Sequence, residues 1–470
     1  MRSAFTLAVA ALNTEQSIFS FPAFKMSKAK LKRHIPIFLA IGFFLVCSLI
    51  RLDLPGLHYD EVFFANAALP GDDGTFIEWS LSVAGRRVPL MLMHYVGAVK
   101  AYLYAPIFAL FGASPTTVRL PAVFLGSSSV LLLYLLAKTM FTRRVALAAM
   151  WLLASDPTFI FATRLDWGPL SIGFALKLVA LYLLWRWLQE GRLSQLRLAA
   201  FALGVGVFDK VVFLWFLLAL LIASPLCLWR QVRQRLSWRA IRTLVVWMLL
   251  GALPFVAYNL RERGRTFRQQ PVLNRQPLET IPLQYSLLKG TLDGTTLYHF
   301  IHGQSLGDWE GLPHPRSRLD SLLCRLGSLA PHNRTCGAYG LAVALGLLPL
   351  FWFLGRLRPA GPVGFVVLLF ALMVVFIALT PRATGLQHSI VLYPLPHLLI
   401  SIVALCCLQL DLPQWPNVAR MVKLSAAGAV ASLLLSHVTV NARYLTALAQ
   451  TGGLGRWSDA IYELAHYTRE

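Results

Sequence analysis

The sequence predicts an all-α polytopic membrane protein, and three observations support this class. Hydrophobic residues make up 57% of the 470 residues, charged residues make up only 14%, and the mean hydropathy is +0.62. Apolar runs recur along the chain, many of them close to the roughly 20 residues that a helix needs to cross a bilayer. The basic residues form short clusters between these runs, as they do in the cytoplasmic loops of membrane proteins.

The net charge of +22 reports membrane topology rather than nucleic-acid binding. The basic clusters, at residues 25–33, 143–144, 230–242 and 356–358, are separated by long apolar runs and do not form one basic segment. Clusters of this kind contact anionic lipids beside the membrane. We therefore expect membrane lipids, and no nucleic acid, among the partners.

The charge bias also predicts the order and direction of the spans. With a cytoplasmic N-terminus, the first span leads outward, so the loop after it is extracytoplasmic. Counting residues 88–112 as a full span would reverse the bias of the later loops, so this run is predicted to be a juxtamembrane or re-entrant helical hairpin. Eleven spans remain, at residues 35–51, 117–140, 145–164, 168–189, 197–208, 212–229, 240–259, 338–355, 362–380, 387–408 and 420–441.

These spans divide the chain into five regions and predict a multi-pass protein of the inner (plasma) membrane. Met26 opens a basic flank before the first span, so residues 1–25 are expected to be an over-extended start or a tail. Cys324 and Cys336 share one polar loop, where a disulfide and two free thiols are equally expected. The regions are a cytoplasmic segment (1–34), a transmembrane core with two outer loops (35–260), an extracytoplasmic loop (261–337), C-terminal spans (338–442) and an outer tail (443–470).

An acidic pair follows the first span in the stretch "LPGLHYDEVFFANAAL". Asp60 and Glu61 could cap the helix that starts there, because a carboxylate accepts hydrogen bonds from free backbone amides. Alternatively, one carboxylate takes a proton from an acceptor hydroxyl while the other orients that group or holds a metal ion. Adjacent residues on a helix point about 100° apart, so the two are not expected to share one task.

Other ionisable residues are predicted to reach the same face, and charges at membrane depth are functional candidates because they are costly to bury. Asp166 either pairs with Arg164 as a helix-end anchor or acts with Asp60 and a divalent ion to clamp a phosphate. Lys100 and Lys210 either extend to the interface or neutralise a lipid phosphate. Further candidates, each of which has a structural alternative, are His58, Arg164, His299, His302 and His388.

Several stretches resemble one enzyme family in their order and spacing. "LHYDEVFFANAAL", "FATRLDWGPLSIGFALKLVALYLLWRWL" and "LAAFALGVGVFDKVVFLWF" are similar to the N-terminal half of glycosyltransferase family 39 and the RgtA/B/C/D-like membrane transferases. These enzymes have the GT-C fold and are kin of the protein O-mannosyltransferases and the lipid A aminoarabinose transferase. The resemblance covers about residues 35–235, and "HSIVLYPLPHLLISIVAL" adds a C-terminal match.

The resemblance implies sugar transfer, with inversion, from a polyprenyl-phosphate donor to a hydroxyl of a glycan, lipid or protein acceptor on the extracytoplasmic face. It implies that Asp60, with Glu61 beside it, is the base or the residue that orients the acceptor. Asp166 matches the second-loop carboxylate of the family, and Lys210 and Lys100 match its basic residues. We expect no cofactor beyond a divalent metal ion.

Two other functions are compatible with intramembrane charge. A transporter or flippase of lipid-linked sugars would typically show inverted repeats and charges at the middle of the bilayer. Here the notable charges are predicted at the outer ends of spans, which favours the transferase. A non-catalytic assembly protein would tolerate the combined loss of Asp60 and Asp166.

Overall fold

A computed structural model gives the architecture of the chain. Its contacts divide the chain into two units, residues 1–39 and 40–470. The N-terminal unit contributes the first part of one helix, and the fold and site below belong to the second unit. The structure describes residues 28–69, 77–165, 167–269, 277–303, 305–308, 311, 315–330, 334–355, 357, 361–379 and 385–459.

The first helix, α1 (Lys28–Leu49), is followed by a loop region that contains both helices and strands. An antiparallel sheet has the strand order β1 (Trp79–Val83), β2 (Arg86–Met93), β3 (Val96–Gly97). Ala84 and Gly85 have φ of 49° and 74° and form the tight turn between β1 and β2, since such hairpin turns need positive φ. The elements of this region are α2 (Tyr59–Asn66), β1 (Trp79–Val83), β2 (Arg86–Met93), β3 (Val96–Gly97) and α3 (Val99–Phe111).

The predicted helical hairpin at residues 88–112 is therefore wrong in its first half. Residues 88–97 contain most of β2 and all of β3, and only residues 99–111 are helical. The apolar run "VPLMLM" is compatible with either a buried helix or a strand, because such short runs have no decisive periodicity. Pairing with β1, as in Leu81 opposite Val88, settles it as a strand.

The transmembrane core continues through eight helices. Two pairs of them are bent spans, by 59° between α5 (Arg143–Ser155) and α6 (Pro157–Arg164) and by 70° between α10 (Trp238–Gly251) and α11 (Leu253–Arg261). A proline lies in the first turn of the second helix in both pairs, where its ring is compatible with a helix start but ends the preceding helix. The helices are α4 (Pro115–Met140), α5 (Arg143–Ser155), α6 (Pro157–Arg164), α7 (Leu170–Glu190), α8 (Leu193–Asp209), α9 (Phe213–Arg235), α10 (Trp238–Gly251) and α11 (Leu253–Arg261).

The C-terminal half has the same helical character. The described part of the predicted polar loop 261–337 contains four α-helices, α12 (Arg265–Gln269), α13 (Pro277–Asp293), α14 (Thr295–His302) and α15 (Arg318–Ser328). No disulfide joins Cys324 to Cys336. The remaining helices are α16 (Gly337–Phe353), α17 (Pro362–Ala378), α18 (Leu386–Ser389), α19 (Leu395–Leu408) and α20 (Pro416–Thr451).

The structure confirms a mostly helical, multi-pass membrane protein. Among the described residues, five helical segments are long and apolar enough to cross a membrane, and seven are if each bent pair is one span. Shorter apolar helices, including α16 and α17, add to these. Each predicted span overlaps a helix, while the count of eleven stays a prediction.

Glycines bring α8 close to α10. A Cβ atom on Gly204 would lie 2.1 Å from the Met248 carbonyl oxygen, and one on Gly251 would lie 2.4 Å from the Phe201 carbonyl oxygen. Small residues allow such close backbone contact between membrane helices. This packing fixes α8, whose C-terminal end carries Lys210.

Candidate functional site

The acidic pair lies in the first turn of α2, which is capped by its own side chains. His58 Nδ1 accepts a hydrogen bond from the Asp60 amide at 3.2 Å, and Glu61 Oε2 accepts one from the His58 amide at 2.9 Å. This reciprocal arrangement is a capping box. Because Nδ1 accepts and burial lowers the pKa of His58, the imidazole is neutral with its proton on Nε2.

Glu61 is fully buried and pairs with Arg119 of α4. Arg119 Nε lies 2.8 Å from Glu61 Oε1, and Nη2 lies 2.9 Å from Oε2. The same guanidinium donates to the carbonyl oxygens of Leu52 and Pro55 at 2.8 and 2.9 Å. Such two-pronged ion pairs fix geometry as well as adding energy. The Glu61–Arg119 pair thus joins α2 to α4 and to the loop that precedes α2.

Asp60 faces a different environment, one that a substrate can reach. Its side chain is 20% exposed, and its Oδ2 accepts a hydrogen bond from Trp167 Nε1 at 3.1 Å. Tyr59 beside it is 58% exposed. Burial raises the pKa of Tyr95, and the charge of Asp60 raises it further. Asp60 therefore lies at the edge of a partly open site bordered by aromatic rings.

The C-terminal segment completes this aromatic wall. His58 stacks on Trp457 with ring centroids 4.4 Å apart, and Trp167 meets Trp457 edge to face at 5.5 Å. The Trp457 carbonyl accepts a hydrogen bond from the Gly56 amide at 3.1 Å. The described part of the predicted outer tail thus packs against the first loop. It also supports Trp167, whose indole donates the hydrogen bond to Asp60.

The sheet brings the two lysines of the site together. Val96 of β3 forms an isolated bridge with Lys210, and the Val211 amide donates to the Tyr95 carbonyl at 3.0 Å. A Cβ on Gly97 would lie 2.2 Å from the Phe208 carbonyl oxygen, so only glycine permits this contact. Since α3 begins directly after β3, Lys100 is placed beside the end of α8.

Lys210 is a half-buried lysine at the C-terminal end of α8. Burial lowers its pKa, the charges of Asp60 and Asp209 raise it, and Lys100 lowers it. Within the described part of the chain, no residue accepts a hydrogen bond from its ammonium group. A desolvated charge with no bonded partner is costly. An anionic ligand would supply that partner.

Lys100 has a more enclosed position. Its side chain is 1% exposed, so it does not extend to the interface. The ammonium lies 4.8 Å from the centre of the Phe64 ring and 5.5 Å from that of Tyr104, where the ring faces stabilise a cation. It contributes positive potential next to Lys210.

An apolar groove with a cavity volume of about 40 Å³ leads away from Lys210 between α7, α8 and α9. Phe174, Phe213 and Phe216 line it, and Lys177 lies along it. Lys177 donates to the Val391 carbonyl at 2.6 Å and to the Tyr393 carbonyl. Lys177 therefore joins α7 to the segment before α19, and Lys210 is the cation available to a ligand in the groove.

The other predicted residues have different positions. Arg164 is buried and donates to the carbonyls of Ile50 at 2.9 Å and Leu54 at 3.0 Å, so it joins the end of α6 to the segment after α1. His302 lies 3.3 Å from Thr451 Oγ1, and burial lowers its pKa to about 3. Its imidazole is neutral and packs against the rings of Tyr298 and Tyr444.

Two predicted residues bear on the site less directly. His388 of α18 is within electrostatic range of Lys210, and its Nδ1 has no hydrogen-bond partner in the part of the chain that the structure describes. His299 packs beside Phe300, with ring centroids 6.4 Å apart. Asp166 lies outside the described residues.

Of the two predicted metal ligands, Asp60 and Asp166, the structure therefore describes only Asp60. Among the described residues, no group of three His, Cys, Asp or Glu side chains could hold a metal ion. Asp60 Oδ2 accepts a hydrogen bond from Trp167 Nε1, and the side chain is partly exposed. A carboxylate oxygen suits a hard divalent cation, so the metal remains a proposal.

Three residues of the site escaped the sequence analysis. Arg119 stands in the apolar stretch "TTVRLPAVF", and a charge within a span was the signal that could have identified it. Lys177 gives the same signal in "GFALKLVAL". Trp457 gave none, since a tryptophan in a polar tail has no periodic pattern around it.

The fold defines a class, the GT-C fold membrane proteins. The chain shares this fold with the solved structure of ArnT. The resemblance noted in the sequence is thereby confirmed at the level of fold.

Part of the chain is similar in sequence to a known family. Residues 96–258 match the family described as dolichyl-phosphate-mannose-protein mannosyltransferase. This segment contains Lys100, Arg119 and Lys210 and begins after Asp60. No curated protein sequence matches the chain in a direct comparison.

Two solved structures have a similar fold. ArnT from Cupriavidus metallidurans, bound to undecaprenyl phosphate, has a TM-score of 0.52 and 15% identity, over 89% of this chain and 77% of that one. The oligosaccharyltransferase of Archaeoglobus fulgidus in its apo form has a TM-score of 0.51 and 13% identity, over 95% of this chain and 59% of that one. This chain thus spans about three fifths of the archaeal enzyme.

Proposed function

We propose that the protein is a membrane glycosyltransferase that moves a sugar from a polyprenyl-phosphate donor to an acceptor hydroxyl. One observation carries this proposal. A partly exposed carboxylate, Asp60, lies within electrostatic range of Lys210, a half-buried lysine that lines an apolar groove. A polyprenyl phosphate fits this site, because its phosphate can bind to Lys210 and its prenyl chain can lie in the groove.

The donor phosphate is assigned to Lys210, with Lys100 adding positive potential. An ammonium group stabilises a phosphate strongly where water is largely excluded. The prenyl chain would lie along the groove between α7 and α9, whose lining is mostly apolar. The similar ArnT structure holds undecaprenyl phosphate, which supports a donor of this class.

Asp60 is assigned as the general base. It accepts the proton of the acceptor hydroxyl, the oxygen attacks the anomeric carbon, and the bond from that carbon to the phosphate oxygen breaks. The polyprenyl phosphate leaves as an anion beside Lys210, which stabilises the developing charge. Since Glu61 is engaged by Arg119, we assign it to positioning α2. A single displacement with one carboxylate inverts the anomeric configuration.

A divalent ion, where bound, would bind to Asp60 and Asp166 and add positive charge near the phosphate. Chelation followed by restoration with Mg²⁺ or Mn²⁺ in the transfer assay tests this part. Unchanged activity after exhaustive chelation would remove the metal from the proposal. The steps assigned to Asp60 and Lys210 do not depend on it.

The test is donor turnover by purified full-length protein. Labelled polyprenyl-phosphate hexose and pentose donors are incubated with a panel of hydroxyl acceptors from glycans, lipids and peptides. We expect free polyprenyl phosphate to appear together with the labelled acceptor. A flippase would move the donor across a proteoliposome membrane without releasing phosphate, and that result would refute the transferase.

A further inference from the structure

A second apolar cavity lies farther along the helices that form the groove. It has a volume of about 200 Å³ and is enclosed by α7, α8, α9 and α10, with Phe365 of α17. Along α9 it extends from Leu217 to Val232, whereas Lys210 precedes the start of that helix. The cavity therefore lies toward the opposite end of α9 from the proposed donor phosphate.

A kink in α9 forms part of the cavity wall. Pro225 interrupts the hydrogen bonds of the helix, and Leu228 has the non-helical angles φ −117° and ψ 25°. Both residues line the cavity. An unfilled apolar cavity reduces stability, and apolar cavities of this size bind apolar ligands rather than water.

The cavity also reaches the outside of the helical bundle. Leu221 lines it and is 55% exposed, so an apolar chain can enter from the surface that faces lipid. Farther along α9, Leu226 and Trp229 are 67% and 55% exposed. Exposed apolar residues are expected on a surface that lipid covers.

A basic segment lies next to the cavity, at the turn between α9 and α10. Residues 229–242 contain five arginines and no acidic residue. Arg235 donates to the carbonyls of Leu188 and Gln189 at 3.1 and 2.7 Å and so ties α9 to α7. The other four are exposed, and no described residue forms an ion pair with them; they are Arg230, Arg233, Arg239 and Arg242.

We propose that this region binds an anionic phospholipid, with an acyl chain in the cavity and the headgroup phosphate on the arginines of the α9–α10 turn. Arginine binds phosphate through two parallel hydrogen bonds, and Trp238, 74% exposed, is suited to the headgroup level. The acyl chain of one phospholipid would fill the cavity while its phosphate binds to the adjacent arginines. This site is separate from the proposed transfer site.

Native mass spectrometry of the detergent-purified full chain tests the proposal. The protein is titrated with phosphatidylglycerol and, separately, with phosphatidylcholine of identical acyl chains. We expect retention of phosphatidylglycerol in preference to phosphatidylcholine. Each arginine removed is expected to weaken binding about fivefold, so the combined R233Q/R239Q/R242Q variant should bind about a hundredfold more weakly.

Two comparisons separate this site from general attraction to a basic surface. R144Q/R197Q removes two exposed arginines elsewhere and should retain the lipid as the unmodified protein does. Ser224→Phe fills the cavity and should release phosphatidylglycerol although every arginine is present. Elution volume and helical circular dichroism check the folding of each variant.

Several outcomes would overturn the proposal. They are equal retention of the two lipids by the unmodified protein, unchanged binding in the triple variant or in the folded Ser224→Phe protein, and equal loss in the control variant. Displacement of phosphatidylglycerol by undecaprenyl phosphate would also overturn it, because the cavity would then belong to the donor. The comparison of the two lipids uses the unmodified protein, so it tests the proposal even if a variant does not fold.

Discussion

At the scale of single residues, two adjacent carboxylates have separate tasks because their surroundings differ. Both oxygens of Glu61 are bonded within the protein, to Arg119 and to the His58 amide. Asp60 keeps one oxygen clear of Trp167 and is partly exposed. The sequence placed both residues correctly after the first span, but it could not identify Arg119 as the partner, since 58 positions separate them.

Substituting each carboxylate should separate catalysis from stability. Asp60→Asn should lower transfer by about a hundredfold to ten-thousandfold, the range for a lost general base, with little change in melting temperature. The measurement is sugar transfer per mole of folded protein. Full activity in Asp60→Asn would contradict its assigned role.

Glu61→Gln is the matched comparison and should mainly affect folding. It leaves the Arg119 charge buried without its anion, which costs about 3–5 kcal/mol. Thermal unfolding in detergent should therefore show a clear fall in melting temperature. If Glu61→Gln unfolds like the unmodified protein, the ion pair does not anchor α2 as we infer.

Lys210 should make donor binding depend on pH. The cationic form binds phosphate, and burial lowers the pKa of the free ammonium below the ordinary value of 10.5. As the pH rises through this lowered pKa the charge is lost, so donor affinity should fall at a pH below that at which an exposed lysine titrates. Titrations of the donor at increasing pH measure this.

Two variants of Lys210 control that experiment. Lys210→Gln should bind the donor about 10- to 100-fold more weakly, the usual loss for a charged hydrogen bond, and with no fall at alkaline pH. Lys210→Arg retains its charge at all these pH values, so its binding should also lack the alkaline fall. A fall that persists in Lys210→Arg would assign the titration to another group.

At the scale of elements, the small sheet is the feature that the sequence did not predict. The helices were predictable because long apolar runs and basic clusters carry a strong signal. Residues 86–97 carry a weak one, since their alternation is short and tertiary pairing decides their conformation. The sheet nevertheless matters for the site, because it places Lys100 beside Lys210.

Gly97 tests the role of the sheet. A methyl group there would collide with the Phe208 carbonyl, so Gly97→Ala should move β3 away from α8 and separate the lysines. Displacement of catalytic groups by about 1 Å can cost a hundredfold in rate, and we expect a loss of that order. Sugar transfer by the folded variant is the measurement.

Gly346→Ala provides the control for that substitution. Gly346 lies within α16, and a Cβ there has no neighbour within 4 Å. Alanine favours helix over glycine by about 1 kcal/mol, so this variant should be fully active and slightly more stable. Equal activity of the Gly97 and Gly346 variants would show that the β3–α8 contact does not set the site.

At the scale of the whole molecule, segments distant in sequence meet at one site. The first loop, the turn after α8 and the C-terminal segment contribute Asp60, Lys210 and Trp457. Charge bias predicts that the first two share a membrane face. It could not predict the third, because the contact of Trp457 with His58 depends on how α20 ends rather than on any pattern within the tail.

The predicted orientation of the site can be tested with single cysteines in a chain whose six native cysteines have been replaced. Tyr59→Cys lies beside Asp60 at a position that is 58% exposed, and Arg239→Cys lies in the basic α9–α10 turn. In intact cells, a membrane-impermeant thiol reagent should label Tyr59→Cys, because basic loops are retained in the cytoplasm. Arg239→Cys should react only after the membrane is permeabilised. The reverse pattern would place the site on the cytoplasmic face, where the donor sugar would have to be presented from inside the cell.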